Sequence, residues 1–348
     1  MSEENKHKRR PHYSGTHPKS YREKYKELNP DKYQDTIQKV ISKGSTPAGM
    51  HLSIMVDEIL DGLMIQPGMK GCDCTFGYGG HSEAMLKALK GEGHLVSLDI
   101  DPIESVKSEQ RLRSLGYGSE IFAVEHLNFA QINEAADKYG KFDFVLADLG
   151  VSSMQIDNPD RGFSYKLEGP LDLRMDPQKG KTAAERLREL TEPALAALLQ
   201  EYSDEPYADQ IAAVISRYRK KGQKIETTKQ LRAAVEEALS FLPKKEYQDA
   251  VKKSCARVFQ ALRIDVNGEF DSLYMLLEKL PDVLVPGGRV AILTFHSGED
   301  RLVKRAFRDC LRGGLYEDVT KDVIRPTAQE CARNPRARST KLRIAVRA

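Results

Sequence analysis

Gly71-Cys-Asp-Cys-Thr-Phe-Gly-Tyr-Gly-Gly-His-Ser82, followed at 97–102 by Ser-Leu-Asp-Ile-Asp-Pro, decides the fold. A short apolar run ends in a glycine-rich turn, a helical pattern follows, and a second apolar run ends in Asp99. That order is the first βαβ unit of a Rossmann-like, nucleoside-binding sheet. Asp99 lies 22 residues after Gly77, close to the ~20-residue spacing expected of an acid on ribose hydroxyls. Gly77, Gly79 and Gly80 allow backbone angles closed to other residues and let a ligand approach the main chain. The dinucleotide pattern Gly-x-Gly-x-x-Gly is not completed, because its sixth position is Ser82. The turn therefore suits S-adenosylmethionine, which carries no phosphates, better than NAD.

Outward from this unit the rhythm continues. Strand-like runs at 70–75, 94–99, 121–125 and 142–148 alternate with helical patterns at 80–90, after Pro102 and after 125, which predicts a parallel sheet covered on both faces. From 157 to 258 the alternation stops. A loop rich in Gly, Pro and Asp leads into helical patterns at 183–190, 192–202, 208–220 and 228–240, read as an all-helical insertion. The α/β rhythm resumes at Glu269, with a fifth strand at 289–295 and a final hairpin closing on 342–346. The expected organisation is a polar arm at 1–45, a sheet domain from 46–156 and 259–348, and the helical domain at 157–258.

Charge is segregated along the 348 residues, although the net is only +3. Residues 1–50 hold 11 Lys/Arg against 6 Asp/Glu, and residues 301–348 hold 13 against 5, which leaves a net of −10 for the stretch between. Basic ends on an acidic body suit a polyanionic partner such as RNA; two solvated tails would look the same. There is no run of about 18 apolar residues and no signal-like segment, and five cysteines show no disulfide framework. Cytoplasmic location without membrane attachment is expected. Cys72 and Cys74 lack a second Cys or His pair, so no metal site is expected.

In open α/β sheets ligands bind beyond the carboxyl ends of the strands, which selects 75–82, Asp99, 127–129, 148–155 and 295–300. Asp148, in Asp148-Leu-Gly-Val-Ser-Ser153, can accept hydrogen bonds from an amino group, or simply cap the next turn. Arg161 and Phe163, then Asp172 and Arg174, crowd a Gly/Pro-framed loop, a combination that suits holding an unstacked base. His296 ends the fifth strand, where it can orient a substrate or bond a backbone partner. Asp204-Glu-Pro-Tyr207 imitates an amino-methyltransferase motif, yet it follows no strand and is set aside.

The segments DCTFGYGGHS (73–82), LDIDP (98–102), DLGVSSMQID (148–157), RGFS (161–164), GPLDLRMDP (169–177), RVFQALRIDVNGE (257–269), PGGRVAILTFHSGEDR (286–301) and NPRARSTKLR (334–343) together resemble the bacterial cytosine-N4 methyltransferases of 16S rRNA, the MraW or RsmH family. The resemblance covers nearly everything after residue 50. It implies a Rossmann-like class I S-adenosylmethionine-dependent methyltransferase sheet interrupted by a helical substrate-recognition domain. It also implies methyl transfer to N4 of a decoding-centre cytidine in 16S rRNA or the small subunit, and is compatible with a homodimer. Cofactor contacts carry over to Gly79, Gly80, His81, Asp99, Phe129, Asp148 and Gln155. Asp148, Phe163 and His296 are expected at the chemistry, and Arg161, Phe163, Asp172, Arg174 and Arg338 at the substrate. Three departures resemble a divergent paralogue: His51-Leu-Ser-Ile-Met where the family prefers His-x-Pro-Val-Leu, Gly298 where it has Leu, and the added basic arm. Two other readings are weighed against this one: a non-catalytic SAM-binding assembly factor, and an NAD dehydrogenase.

Overall fold

The computed structural model describes residues 53–348; the expected arm at 1–45 and the His51 departure lie outside them. The chain opens with α1 (Val56–Leu63), then β1 (Lys70–Asp73), α2 (Gly80–Leu89), β2 (His94–Leu98), α3 (Glu104–Ser114), β3 (Phe122–Glu125), α4 (Ile132–Tyr139), β4 (Phe142–Asp148) and the single turn α5 (Ser153–Asp157). A helical stretch follows: α6 (Ala183–Glu189), α7 (Glu192–Ser203), α8 (Ala208–Lys220), α9 (Thr228–Ala238) and α10 (Lys244–Asn267). The chain then returns to the sheet through α11 (Glu269–Val283), β5 (Leu284–Thr294), α12 (Ser297–Arg312), β6 (Tyr316–Val319), α13 (Ala328–Arg333) and β7 (Lys341–Arg347).

The seven strands form one sheet in the order β3-β2-β1-β4-β5-β7-β6. β1 to β5 run parallel, and β7 lies antiparallel between β5 and β6. Neighbouring side chains of a strand point to opposite faces, and β4 shows the result. Phe144 and Leu146 pack with Ile59 and Leu63 of α1 and Met85 and Leu89 of α2, while Val145 and Ala147 pack with Leu276 and Leu280 of α11 and Val303 and Phe307 of α12. A sheet buried on both faces reads as continuous apolar runs, which is why these strands were legible.

Two elements differ from expectation. β5 begins at Leu284, five residues before the expected Arg289. Its pairing with β4 jumps from Phe142↔Leu284 to Phe144↔Arg289, so Pro286-Gly-Gly288 bulges from a strand instead of preceding one. The helix α10 runs unbroken through residue 258, where the insertion was expected to end. The helices from α6 to α10 bury a separate core, including Leu187, Leu199, Ile211, Ile215, Leu231, Val235, Val258 and Leu262.

Candidate active site

The strand order reverses beside β1, and the carboxyl ends of β1, β2, β4 and β5 meet there. The glycine turn after β1 is held in place by its conformation. Gly77 and Gly79 have φ of 48° and 69°, values costly for residues with a Cβ. A Cβ on Gly79 would stand 2.8 Å from the Phe76 ring, whereas one on Gly77 would meet nothing nearer than the Thr75 carbonyl at 3.9 Å. The turn is thus packed on one side and open on the other. The Gly77 N–H donates to Asp99 Oδ2 at 2.7 Å, and the Asp101 N–H donates to Asp99 Oδ1 at 2.8 Å. Burial nonetheless pushes the Asp99 carboxyl up to about 6, against the pull of those two N–H groups.

Two neighbouring acids brace the turn, and sequence reasoning gave neither a role. Asp73 is fully buried; its Oδ2 accepts from Ser82 Oγ at 2.5 Å, and its Oδ1 from the Thr75 N–H at 3.1 Å. Asp101 caps α3 with Oδ1, accepting from the Ile103 and Glu104 N–H groups at 3.0 and 3.2 Å. Its Oδ2 takes Gln155 Nε2 and Arg161 Nη1, both at 2.9 Å. The signal for Asp101 was its place two residues beyond the expected ribose acid, directly before a proline and a helix.

At the tip of β4, the Asp148 N–H donates to Thr75 Oγ1 at 2.7 Å. Asp148 Oδ2 faces His81 Nδ1 at 3.4 Å, and the buried imidazole reaches the Ile54 carbonyl through Nε2 at 2.9 Å. Burial pulls the imidazole down, but the Asp148 carboxylate outweighs it and holds His81 above its ordinary value. A protonated ring donates at both nitrogens, which satisfies both contacts at once. The other oxygen, Asp148 Oδ1, is buried and has no hydrogen-bond partner. Gly150, just beyond, has φ of 99° and abuts the Phe295 ring.

At the tip of β5, His296 caps α12. Its Nδ1 accepts from the Glu299 N–H at 3.4 Å, so in the neutral ring Nε2 carries the proton. That nitrogen lies 3.1 Å from Glu299 Oε1, off the line of a hydrogen bond. Glu299 is buried; despite that burial, His296 and Arg263 hold its carboxyl below the usual carboxylate range. Phe270 packs on His296 with ring centres 5.9 Å apart, and Tyr202 of α7 meets Phe270 edge-on at 5.4 Å. A Cβ on Gly298 would come within 2.8 Å of the Phe270 ring. The glycine that departs from the family pattern makes room for this aromatic, which sequence reasoning did not select.

The expected residues therefore divide. Gly79, Gly80, His81, Asp99, Asp148, Gln155 and His296 come together on the strand tips, and Phe129 opens the short turn after β3. Arg161 is turned inward onto Asp101 and onto the Arg174 and Met175 carbonyls. Phe163 lies in the helical core, with the Arg161 guanidinium 5.6 Å above its ring. Asp172 and Arg174 grip each other through two bonds, at 2.7 and 2.8 Å. Arg338 is exposed, in the 3-10 stretch Pro335–Ser339 that enters β7 beside the end of β5. Among the described residues no group of His, Cys, Asp and Glu is placed to hold a metal.

A nucleoside cofactor fits these residues. The open side of Gly77 admits close approach, Asp99 offers a carboxylate at the next strand tip, and Asp148 Oδ1 is an acceptor in want of a donor. The family model described as the MraW methylase family matches residues 48–348. A "Ribosomal RNA small subunit methyltransferase H 1" of Agathobacter rectalis is 60% identical over 348 residues, covering 100% of both chains. The protein of the same name from Lachnoclostridium phytofermentans is 60% identical over 98% of this chain and 93% of its own. A "Ribosomal RNA small subunit methyltransferase H 2" of Alkaliphilus metalliredigens is 55% identical over 99% of each. On the strength of that match from residue 48 to the last residue, the chain belongs to the MraW methylase family.

Proposed function

We infer that the chain transfers a methyl group from S-adenosylmethionine to N4 of a cytidine in the 16S rRNA of the small ribosomal subunit, acting in the cytoplasm. The observation that carries this reading is Asp148 Oδ1, a buried acceptor left without a donor beside the glycine turn. The cofactor supplies an electrophilic methyl on a sulfonium sulfur. Asp99 takes the ribose hydroxyls, while Gly79, Gly80 and Phe129 line the nucleoside.

The amine of cytosine is a poor nucleophile because its lone pair is delocalised into the ring. Asp148 accepts from an N4–H, which turns the amine so that its lone pair faces the methyl. Methyl transfer to N4 would make the amine acidic. The carboxylate of Asp148, fixed by His81 from its other oxygen, is then placed to receive the proton. Holding the two reactants in line contributes about 7–11 kcal/mol to the lowering of a bimolecular barrier. Attack through a thiol, as C5 methylation requires, has no support. Burial pushes the Cys72 and Cys310 thiols up and that of Cys255 to about 12, while Cys74 is buried in the core under the sheet and Cys331 lies on α13. The helices α6–α9 recognise the RNA around the target nucleotide.

Labelled S-adenosylmethionine with small subunits lacking the modification tests the reading, followed by nucleoside mass analysis of the product. N4-methylcytidine is expected. Label on another nucleoside, or none, would refute it.

A further inference from the structure

The helix α12 separates its charges by face. Its two first-turn acids point inward. Glu299 is buried against His296, and Asp300 is held by Arg343 Nε at 2.7 Å and Lys341 Nζ at 3.1 Å. Its bases are all exposed: Arg301, Lys304, Arg305, Arg308 and Arg312. Spacings of 3, 4, 7 and 11 residues set these five on one side of a helix, over about 16 Å at 1.5 Å per residue. Asp309 is the only acid exposed among them. It lies 3.8 Å from Arg305 and 3.9 Å from Arg308, with all three side chains more than half exposed. Exposed pairs of this kind hold by at most about 1 kcal/mol and exchange readily for another anion.

The position of the stripe gives it meaning. It starts five residues after His296, at the strand tips. Arg338 stands exposed at the same end of the sheet, where β7 enters beside β5. These five bases belong to the 13 Lys/Arg that make residues 301–348 a basic end, and the fold carries them to the rim of a body whose net charge is −10.

We propose that the outward face of α12, from Arg301 to Arg312, together with Arg338, is a track for the RNA phosphates that flank the target nucleotide. The partner is a polyanionic strand, whose phosphates the five bases along this side of the helix neutralise. Arg301 also touches Asp204 at the end of α7, at 3.2 Å. The track therefore begins where the helical segment meets the sheet.

The proposal rests on the rRNA reading above, and its test keeps the two apart. The triple variant R305Q/R308Q/R312Q is compared with the intact enzyme and with K245Q/K252Q/K253Q, which removes equal charge from α10. Affinity for unmethylated small subunits and for naked 16S rRNA is measured across a salt series, alongside S-adenosylmethionine affinity and melting temperature. The α12 variant should bind both RNAs at least tenfold more weakly at low salt. Its salt slope should fall by about 2–3, the loss of three phosphate contacts. Cofactor affinity and melting temperature should stay at the intact values, and the α10 variant should lose less. Equal losses in both variants would reduce the effect to bulk charge and overturn the proposal. So would an unchanged salt slope, or weaker binding to subunits but not to naked RNA, which would mark a protein partner. An intact enzyme that binds RNA through α12 yet forms no N4-methylcytidine would sink the rRNA reading and leave the track standing.

Discussion

At the scale of single residues, the site is a set of carboxylates whose neighbours decide their charge. Asp99 is the clearest case, since burial raises it to about 6 while two N–H groups favour its ionised form. Ribose hydroxyls donated to the carboxylate would stabilise the charged form further. Cofactor affinity should therefore be full above pH 7 and fall as the pH drops through about 6, because the proton competes with the sugar. Calorimetry from pH 5 to 8 checks this. Asp99→Asn should bind weakly, with a flat profile; an affinity like that of the intact enzyme would remove Asp99 from the ribose. Asp148 answers to a different readout. Asp148→Asn keeps the shape but exchanges the acceptor facing His81 or the amine for a donor. It should lower kcat by about 10²-fold or more, the scale of positioned proton transfer. Cofactor affinity should move far less than kcat; an unimpaired kcat would clear Asp148 of the chemistry.

At the scale of elements, the N-terminus of α12 and the start of α11 form one packing unit. Gly298 yields the space that Phe270 fills. An added methyl at 298 meets the ring edge at 2.8 Å, and a ring packed against Tyr202 and His296 has little room to retreat. Gly298→Ala should destabilise by about 1–3 kcal/mol, the scale of overpacking, even though alanine is the better helix former. With Phe270→Ala the clash disappears, so the double variant should be more stable than the sum of the singles by at least about 0.5 kcal/mol. Urea titrations of the four proteins measure that coupling, and additive losses would show that the ring yields freely. This unit also marks what the chain made legible and what it did not. β2, β4 and β5 carry short apolar runs, and Asp99, Asp148 and His296 fall at their ends by rule of topology. Phe270 carries no such signal, because it opens a helix and reaches the site only through long-range packing. The Arg161 loop is legible in part: Arg, Asp and an aromatic in a loop read as ligand contacts, and the structure shows Arg161 on buried Asp101 and Phe163 in the helical core. A loop motif does not reveal which way its side chains turn. Pro286-Gly-Gly288 read as the approach to a strand because a bulge and a turn use the same residues.

At the scale of the whole molecule, the site and the framework respond to acid with opposite signs. Burial raises Asp99 and Asp73, and His81 is raised by Asp148 despite its burial. Each of these groups holds its proton more tightly folded than unfolded. Below the ordinary carboxylate value the stability due to Asp99 is fully present, and it is lost as the pH rises from about 4 to about 6. For His81 the loss comes as the pH rises from its ordinary 6.5 through its raised value. The framework acids run the other way. Asp101, Glu299 and Asp300 are lowered by their Arg, Lys and His partners in spite of burial. They lend stability above the ordinary carboxylate range and lose it as the pH falls through their depressed values. Without cofactor, the protein should therefore gain stability on acidification from pH 8 to about 5, then lose it steeply below about 4. For Asp99 alone, a shift of about two units corresponds to roughly 3 kcal/mol as an upper scale. Urea midpoints at half-unit pH steps would trace the rise and the collapse. Asp99→Asn should flatten the part of the rise between pH 6 and 4 while leaving the acid collapse in place. Saturating S-adenosylmethionine should flatten it too, by favouring the ionised carboxylate. A rise that survives both would place the strained charge elsewhere than in the cofactor cleft, and with it the reason the cleft binds a polar ligand so near neutrality.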